Sequence, residues 1–235
     1  NHNRPFTKGF NLVGNPYPSP IDWNATSGWI KTNIDNAVYY FNASTTDQYT
    51  GTYSSYINGV SSDGIAGNII PSMQGFFVHV TNGTFPVTGQ LTFNNNVRTN
   101  DLSPVFHSFT GPVIRLSASY SDDVIAADPA VFYFDDQASK KFDTKRDALK
   151  LMNTNKAVPN LYAVTNDSAK LSIHAVNYLR DSLTVLPLGL TTEKDASVTF
   201  NARDIRGVST NMNVYLYDNK ADTYQDLRRN PDYRL

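Results

Sequence analysis

The chain has 235 residues, of which 40% are hydrophobic and 12% aromatic, so it can bury a sizeable core. Its 20 basic and 21 acidic residues give a net charge of −1 without a basic run, which argues against nucleic acid or a membrane surface as partner. Cysteine is absent, which excludes disulfides, thiolate metal sites and a cysteine nucleophile.

The composition indicates a β-protein. Glu193 is the only glutamate and asparagine is abundant, so good helix formers are scarce where turn formers are plentiful. No apolar run approaches the roughly 18–20 residues that span a bilayer, so we expect no membrane insertion. The first residues are neither an initiator methionine nor a signal peptide. We therefore expect the chain to be a piece of a longer polypeptide with flanking domains.

The first predicted strand runs into a proline-rich corner. Residues 9–14 alternate as an extended segment, and three prolines follow within five positions. Because each proline fixes φ and lacks an N–H, this stretch can form neither a helix nor a strand ladder. The corner should hold the aromatic residue that follows it at a set place with little entropic cost. We interpret these residues as a structural anchor: Trp23, Pro16, Pro18 and Pro20.

Further strands are predicted through the first half. Residues 37–41 are dense in β formers, and residues 75–80 alternate with apolar side chains on both faces, so both faces should be at least partly covered. A polar link follows at residues 94–104. We expect residues 1–104 to form one domain and residues 105–235 a second one.

The second half repeats this style without repeating the sequence. Residues 113–118 alternate between apolar and polar, and residues 161–164 and 170–175 flank a turn-forming Asn-Asp-Ser, which predicts a hairpin. About seven short strands at this spacing are typical of a sandwich or jelly roll.

One stretch departs from the β pattern. Asp143 suits a helix N-cap, and the residues up to Met152 fit a turn or two of helix. We therefore predict an all-β chain of two tandem antiparallel β-sandwich or jelly-roll-like domains, with one short helix in the second. Whether the last strand of the second domain is present stays open.

A search for catalytic residues finds no convergent set, so we expect that the chain is not an enzyme. No nucleophile elbow, phosphate loop or dinucleotide fingerprint occurs. Adjacent aspartates at the end of a strand point to opposite faces. We therefore interpret Asp135 and Asp136 as a solvated turn and not as an acid/base pair. The histidines lack metal-ligand spacing and read as strand or loop residues: His2, His79, His107 and His174.

No cofactor is expected, with calcium left open. Hard cations prefer clustered carboxylate and carbonyl oxygens, which Asp122 with Asp123, or Asp218 with Asn219 and Asp222, could supply. Turn formation explains the same residues, because Asp and Asn stabilise turns themselves.

Carbohydrate binding has one candidate region. Exposed flat rings stack on sugar faces, although rings at such spacing can equally cover a sheet. The candidate glycan-binding residues stand amid Asn, Ser and Thr and are Trp29, Tyr49, Tyr53 and Tyr56.

A set of motifs spans nearly the whole chain, at residues 10–18, 21–23, 69–78, 142–143, 147–151, 161–162, 214–218 and 226–227. Together they resemble the C-terminal, non-catalytic β-sandwich regions of large secreted or cell-surface proteins of Bacteroidetes-type bacteria. Such regions usually precede a small sorting domain for type IX secretion and surface attachment, which we expect to be absent here. The resemblance implies a secreted or cell-surface location.

Residues and resemblance together predict a non-catalytic structural or adhesive module of an exported bacterial surface protein. The alternative is a carbohydrate-binding module attached to a secreted polysaccharide-active enzyme. The expected partners are a glycan or another surface protein, besides the flanking domains of the same polypeptide.

Overall fold

A computed structural model gives the fold and describes residues 8–45, 47–84, 86–100, 109–177 and 183–235, with Arg203 described by its backbone alone. Over these residues the chain is all-β, as predicted, with one turn of 3-10 helix at Asn95–Val97. The described residues form two compact units. One draws on Asn1–Asn42, Tyr53–Phe109 and Asp143–Ala148, and the other on Ala43–Thr52, Thr110–Phe142 and Leu149–Leu235. The predicted boundary after residue 104 lies outside the described residues.

The strands up to residue 100 are β1 (Phe10–Gly14), β2 (Ile21–Asp22), β3 (Trp29–Thr32), β4 (Val38–Ala43), β5 (Gly51–Ile57), β6 (Val60–Ser61), β7 (Ile69–Ile70), β8 (Gly75–His79) and β9 (Gln90–Phe93). Five of them form a sheet in the order β1-β8-β4-β5-β6. Two small antiparallel ladders, β2 with β7 and β3 with β9, accompany it.

The core of the first unit is built from the inward face of β8 and the segment after the proline corner. Phe76 and Val78 alternate inward on β8, where period-2 patterning places them on one face. Ile21, Trp23 and Ile70 pack against them, each at most 2% exposed. The corner therefore delivers its aromatic residue into the core.

The later strands are β10 (Val113–Tyr120), β11 (Asp123–Phe134), β12 (Ala148–Leu149), β13 (Asn160–Val164), β14 (Lys170–Val176), β15 (Leu188–Thr191), β16 (Val198–Arg206), β17 (Tyr215–Asp218), β18 (Thr223–Asp226) and β19 (Asp232–Arg234). Most join one sheet in the order β15-β13-β14-β11-β10-β16-β19, with β12 paired to β14. Strands β17 and β18 form a separate two-stranded ribbon.

The predicted hairpin of residues 161–175 is present as β13 and β14, which pair antiparallel through Ala163 opposite Leu171. One pairing in the same sheet differs from the all-antiparallel expectation. Strand β14 runs parallel to β11, with Val131 opposite Ile173. A parallel pair needs a long connection rather than a tight turn, and residues 135–169 supply it.

The prediction of a helix over residues 143–152 is wrong. The backbone makes a single turn, in which the N–H of Asp147 donates to the Asp143 carbonyl at 2.8 Å, and the chain then enters β12. The Asp143 carboxylate does accept from the N–H of Lys145 at 2.8 Å, in the manner of a cap. Ladder bonds from β12 to β14 satisfy the following backbone groups, so tertiary pairing overrides the local helix propensity.

Candidate functional site

The proline corner is organised by a buried asparagine. Asn15 is 2% exposed, and its amide nitrogen lies within hydrogen-bond distance of the carbonyls of Ser19 at 3.0 Å, Ile70 at 3.2 Å and Pro71 at 2.9 Å. Its side-chain oxygen accepts from the N–H of Tyr17 at 3.0 Å. The Asn15 side chain thus makes hydrogen bonds to backbone groups of the proline corner and of residues 70–71, which are distant in sequence.

The anchor residues divide between core and surface. Trp23 is 2% exposed, and its indole N–H donates to the Asn36 carbonyl at 2.8 Å. Pro16 and Pro18 are exposed and Pro20 is half-buried. The prolines therefore shape the backbone, while Trp23 makes the packing contact.

A lysine lies against the two tryptophans. The Lys31 ammonium nitrogen is 3.4 Å from the centre of the Trp23 ring and 5.4 Å from that of Trp29. It also donates to the Trp23 carbonyl at 3.3 Å. Burial lowers the pKa of Lys31 to about 8, against the opposing attraction of the Asp22 carboxylate. The indole faces partly offset the cost of placing this cation in the packed layer.

The four predicted glycan-binding rings have different surroundings. Trp29 is half-buried against Phe93, with ring centres 4.8 Å apart, and Tyr53 is half-buried 5.1 Å from Phe41. Tyr56 is buried in the first unit's core, whereas Tyr49 is 79% exposed. Three of the four rings thus pack at least partly against other side chains.

His79 and Asp35 form a buried pair in the first unit. Imidazole Nδ1 lies 2.6 Å from the Asp35 carboxylate, and Nε2 lies 3.0 Å from the Lys8 carbonyl oxygen. The two ring nitrogens thus face a carboxylate on one side and a backbone carbonyl on the other. The hydroxyl of Thr81 also donates to Asp35, at 2.7 Å. The pair links β8 to neighbouring backbone and is closed to solvent.

A second buried pair joins Asp128 to Lys150 in the second unit. The ammonium nitrogen is 2.6 Å from each carboxylate oxygen, and both side chains are 2% exposed. The N–H of Leu161 donates to the same carboxylate at 2.7 Å. These bonds compensate the desolvation of two opposite charges and fix the segment after β12 against β11.

A third carboxylate, Asp63, closes the loop after β6. It accepts from the hydroxyls of Ser54 and Ser61 and from the N–H groups of Ile65 and Ala66. Burial acts to raise the pKa of Asp63, but these four hydrogen bonds outweigh it and hold the pKa below its usual value. The carboxylate is therefore an ionised loop brace.

Of the other histidines, His174 is the one that the structure describes. His174 lies on β14 and is buried, with its ring centre 6.2 Å from that of Phe132. His2 and His107 lie outside the described residues. Among the residues that the structure describes, no group of three or more His, Asp or Glu side chains could hold a metal ion.

The aspartates considered for calcium serve turns. Asp123 accepts from the N–H of Ile125 at 3.2 Å. Asp218 accepts from the N–H of Lys220 at 2.9 Å, and its second oxygen accepts from the hydroxyl of Tyr233 at 2.9 Å. The two N–H contacts are the ones that an Asp at the start of a turn makes.

An exposed tyrosine cluster was missed by the sequence reasoning. Tyr215, Tyr217 and Tyr224 lie on the outer face of the β17–β18 ribbon and are 51%, 46% and 66% exposed. The rings of Tyr217 and Tyr224 stack with centres 4.5 Å apart and planes 22° apart. The alternation Tyr215-Leu216-Tyr217 is the signal that could have indicated this face.

A shallow recess of about 250 Å³ in the second unit is lined by Ser121, Asp122, Ala196, Ser197 and Arg234. It offers one carboxylate, one guanidinium and two hydroxyls, without a histidine to act as base. Over the described part of the chain, no helix is long and apolar enough to cross a membrane.

A family model described as "Domain of unknown function (DUF8693)" matches residues 3–234, and the chain belongs to this family. Searches among curated proteins and among solved structures each found no match.

Proposed function

We propose that this member of the DUF8693 family is a non-catalytic structural and adhesive module of an exported bacterial surface protein. The observation that carries the proposal is that the carboxylates best suited to acid-base chemistry are taken up by hydrogen bonds inside the fold. Asp35, Asp63 and Asp128 are each engaged by several donors within the packed structure. A catalytic carboxylate must reach a substrate, whereas these three brace strands and loops.

The basic side chains that could assist catalysis are engaged in the same way. Lys150 contacts both oxygens of Asp128 at 2.6 Å, and the two nitrogens of His79 face Asp35 and the Lys8 carbonyl. A general acid or base needs hydrogen-bond reach to a substrate proton. Both pairs are too buried to offer it, which supports a structural role.

The proposal of export to the cell surface rests on the resemblance to Bacteroidetes-type secreted proteins. Two of the motif stretches behind that resemblance are direct partners in the fold. Strand β1 pairs with β8, and Asn15 in the first stretch contacts the Pro71 carbonyl in the second. These two stretches thus belong to one structural unit, which favours a shared scaffold over a shared reaction.

The proposed module uses no cofactor, and calcium stays a candidate only at the turn aspartates. Asp122 and Asp218 present carboxylate oxygens at exposed turns, a setting in which Ca²⁺ binding would raise stability by mass action. We expect equal melting temperatures in millimolar CaCl₂ and in excess EDTA. A reproducible rise with calcium that disappears in Asp218→Asn would place an ion there.

The proposal is tested by product release. The full chain is incubated with neutral and acidic polysaccharides and with casein, beside a boiled sample, and reducing ends and new amines are counted. We expect no product above the boiled sample. Turnover that persists through purification and is abolished by Asp35→Asn, Asp63→Asn or Asp128→Asn in a folded variant would refute the non-catalytic role.

A further inference from the structure

The β17–β18 ribbon has one face in the core and one face in solvent. Leu216 points inward and packs against the cluster that contains Phe200 and Leu227. The cross-strand pairs place Tyr215 opposite Asp226 and Tyr217 opposite Tyr224, on the other face. Because side chains alternate along a strand, the tyrosines all point away from this core.

The rings present both flat surface and hydroxyl groups. Tyr217 and Tyr224 are stacked, and Tyr215 stands edge-on to Tyr224 at 6.4 Å and 88°. The hydroxyl of Tyr217 donates to the exposed carboxylate of Asp222 at 3.1 Å. Stacking covers one face of Tyr217 and one face of Tyr224, and all three rings are still 46% to 66% exposed.

Stabilisation of the ribbon alone explains part of this arrangement. A two-stranded ribbon is marginal in water, and a cross-strand aromatic pair strengthens it. The ribbon is, however, already held by Leu216 and by the Tyr233 hydroxyl, which donates to Asp218 at 2.9 Å. Tyr215 lies outside the stacked pair and is still 51% exposed. Three large rings on the solvent face exceed what the hairpin needs.

We propose that Tyr215, Tyr217 and Tyr224 form a binding platform for a neutral polysaccharide chain. This inference deepens the proposed adhesive role, on which it rests, by naming the surface and the class of partner. The negative π face of a tyrosine attracts the weakly positive C–H groups of a pyranose ring, and the hydroxyls and the Asp222 carboxylate are hydrogen-bond partners for sugar hydroxyls.

The surroundings of the rings favour a neutral sugar over other ligands. The carboxylates of Asp222 and Asp226 flank the tyrosines, so a polyanionic glycan would be repelled. Arg229 lies 3.5 Å from Asp226 and is already drawn to that carboxylate. The two strands add no exposed aliphatic side chain, so the platform lacks the pockets by which apolar peptide side chains are held.

The platform is tested by affinity electrophoresis of the full chain in native gels that contain xylan, galactomannan or β-1,3-glucan, with alginate as the polyanionic control. We expect retardation by at least one neutral polysaccharide and none by alginate. Tyr224→Thr, which keeps a β-forming residue, should lower the association constant about threefold to tenfold, the effect of losing one stacking ring. The control is Ile125→Thr on β11, which removes an apolar side chain that is 90% exposed and should bind as the wild type does.

The urea midpoint of Tyr224→Thr shows whether the ribbon still forms in that variant. If the ribbon does not form, Tyr215→Thr, at a residue outside the stacked pair, is used in its place. Absence of retardation in all three neutral gels would overturn the platform, as would equal retardation by alginate or an equal loss of binding in Ile125→Thr. A dimer in sedimentation velocity that dissociates in Tyr224→Thr would also overturn it, because a second copy would then occupy the face. These outcomes leave the non-catalytic role standing, since product release alone refutes that role.

Discussion

The side-chain amide of Asn15 lies 2.9 Å from the carbonyl oxygen of Pro71, across 56 positions of sequence. This contact joins the proline corner to the Pro-Ser-Met-Gln turn that precedes β8. A second bond crosses the same junction, from the hydroxyl of Ser72 to the carbonyl of Tyr17 at 2.8 Å. The two stretches are therefore held by side-chain bonds where prolines prevent a ladder.

Replacing Asn15 should destabilise the first unit. Asn15→Ala leaves the carbonyls of Ile70 and Pro71 without this donor in a buried place, and each such group costs about 1–3 kcal/mol. We expect a loss of about 2–4 kcal/mol in the free energy of unfolding. Asn15→Asp should cost more, because a carboxylate would face carbonyl oxygens. The measurement is urea unfolding followed by tryptophan fluorescence, and an Asp variant as stable as wild type would contradict the assigned contacts.

Trp23→Ala should lower the free energy of unfolding by about 3–5 kcal/mol, the range for deleting a large core aromatic. The reason is the 2% exposure of Trp23 and its contact with Phe76, at 6.0 Å between ring centres. Tyr49→Ala serves as control, since exposed substitutions usually change stability by no more than about 0.5 kcal/mol. An unchanged denaturation midpoint for Trp23→Ala would mean that the corner does not anchor the core.

Lys31 should make stability depend on alkaline pH. Its pKa is about 8 in the folded chain against an ordinary 10.5, so between these values the unfolded chain binds the extra proton. Stability attributable to Lys31 therefore rises as pH goes from 8 to 10.5 and is lost as pH falls back. A pKa shift of this size corresponds to at most ~3 kcal/mol in the free energy of unfolding. Cation–π attraction favours the ammonium form and reduces this contribution to about 1–3 kcal/mol.

The check is the difference in unfolding free energy between wild type and Lys31→Met at pH 7 and pH 10.5. We expect wild type to gain on the variant over that range. Lys145→Met, at an exposed lysine, corrects for the ionisation of other groups. A wild-type advantage that shrinks at high pH, relative to this control, would show that the ammonium is favoured in the fold.

Local patterning was sufficient for the all-β class and for the β13–β14 hairpin, because the alternation and the turn residues lie within one short stretch. It failed at Asp143, where the same residue types suit a helix cap and a tight turn equally well. The pairing of β12 with β14, two segments about twenty positions apart, favours the tight turn over the helix. The parallel pairing of β14 with β11 likewise depends on tertiary placement.

For the site residues as well, local sequence predicts some features and tertiary contacts decide the others. The proline corner beside Asn15 was recognisable in the sequence, but the role of the Asn15 side chain was not, because it depends on carbonyls 55 and 56 positions away. The alternation Tyr215-Leu216-Tyr217 places the two tyrosines on one face of the strand and Leu216 on the other. Which face meets solvent follows only from the packing of Leu216 against the core.

The buried carboxylates brace the fold, and the decisive test of this role is the free energy of unfolding of Asp128→Asn. Loss of the charge leaves the Lys150 ammonium buried without its counter-ion, so we expect a loss of about 3–5 kcal/mol. Asp122→Asn, at an exposed aspartate, should be neutral within about 0.5 kcal/mol. Carboxylates kept for catalysis are often held at a cost in stability. An Asp128→Asn variant more stable than wild type would therefore contradict the structural role.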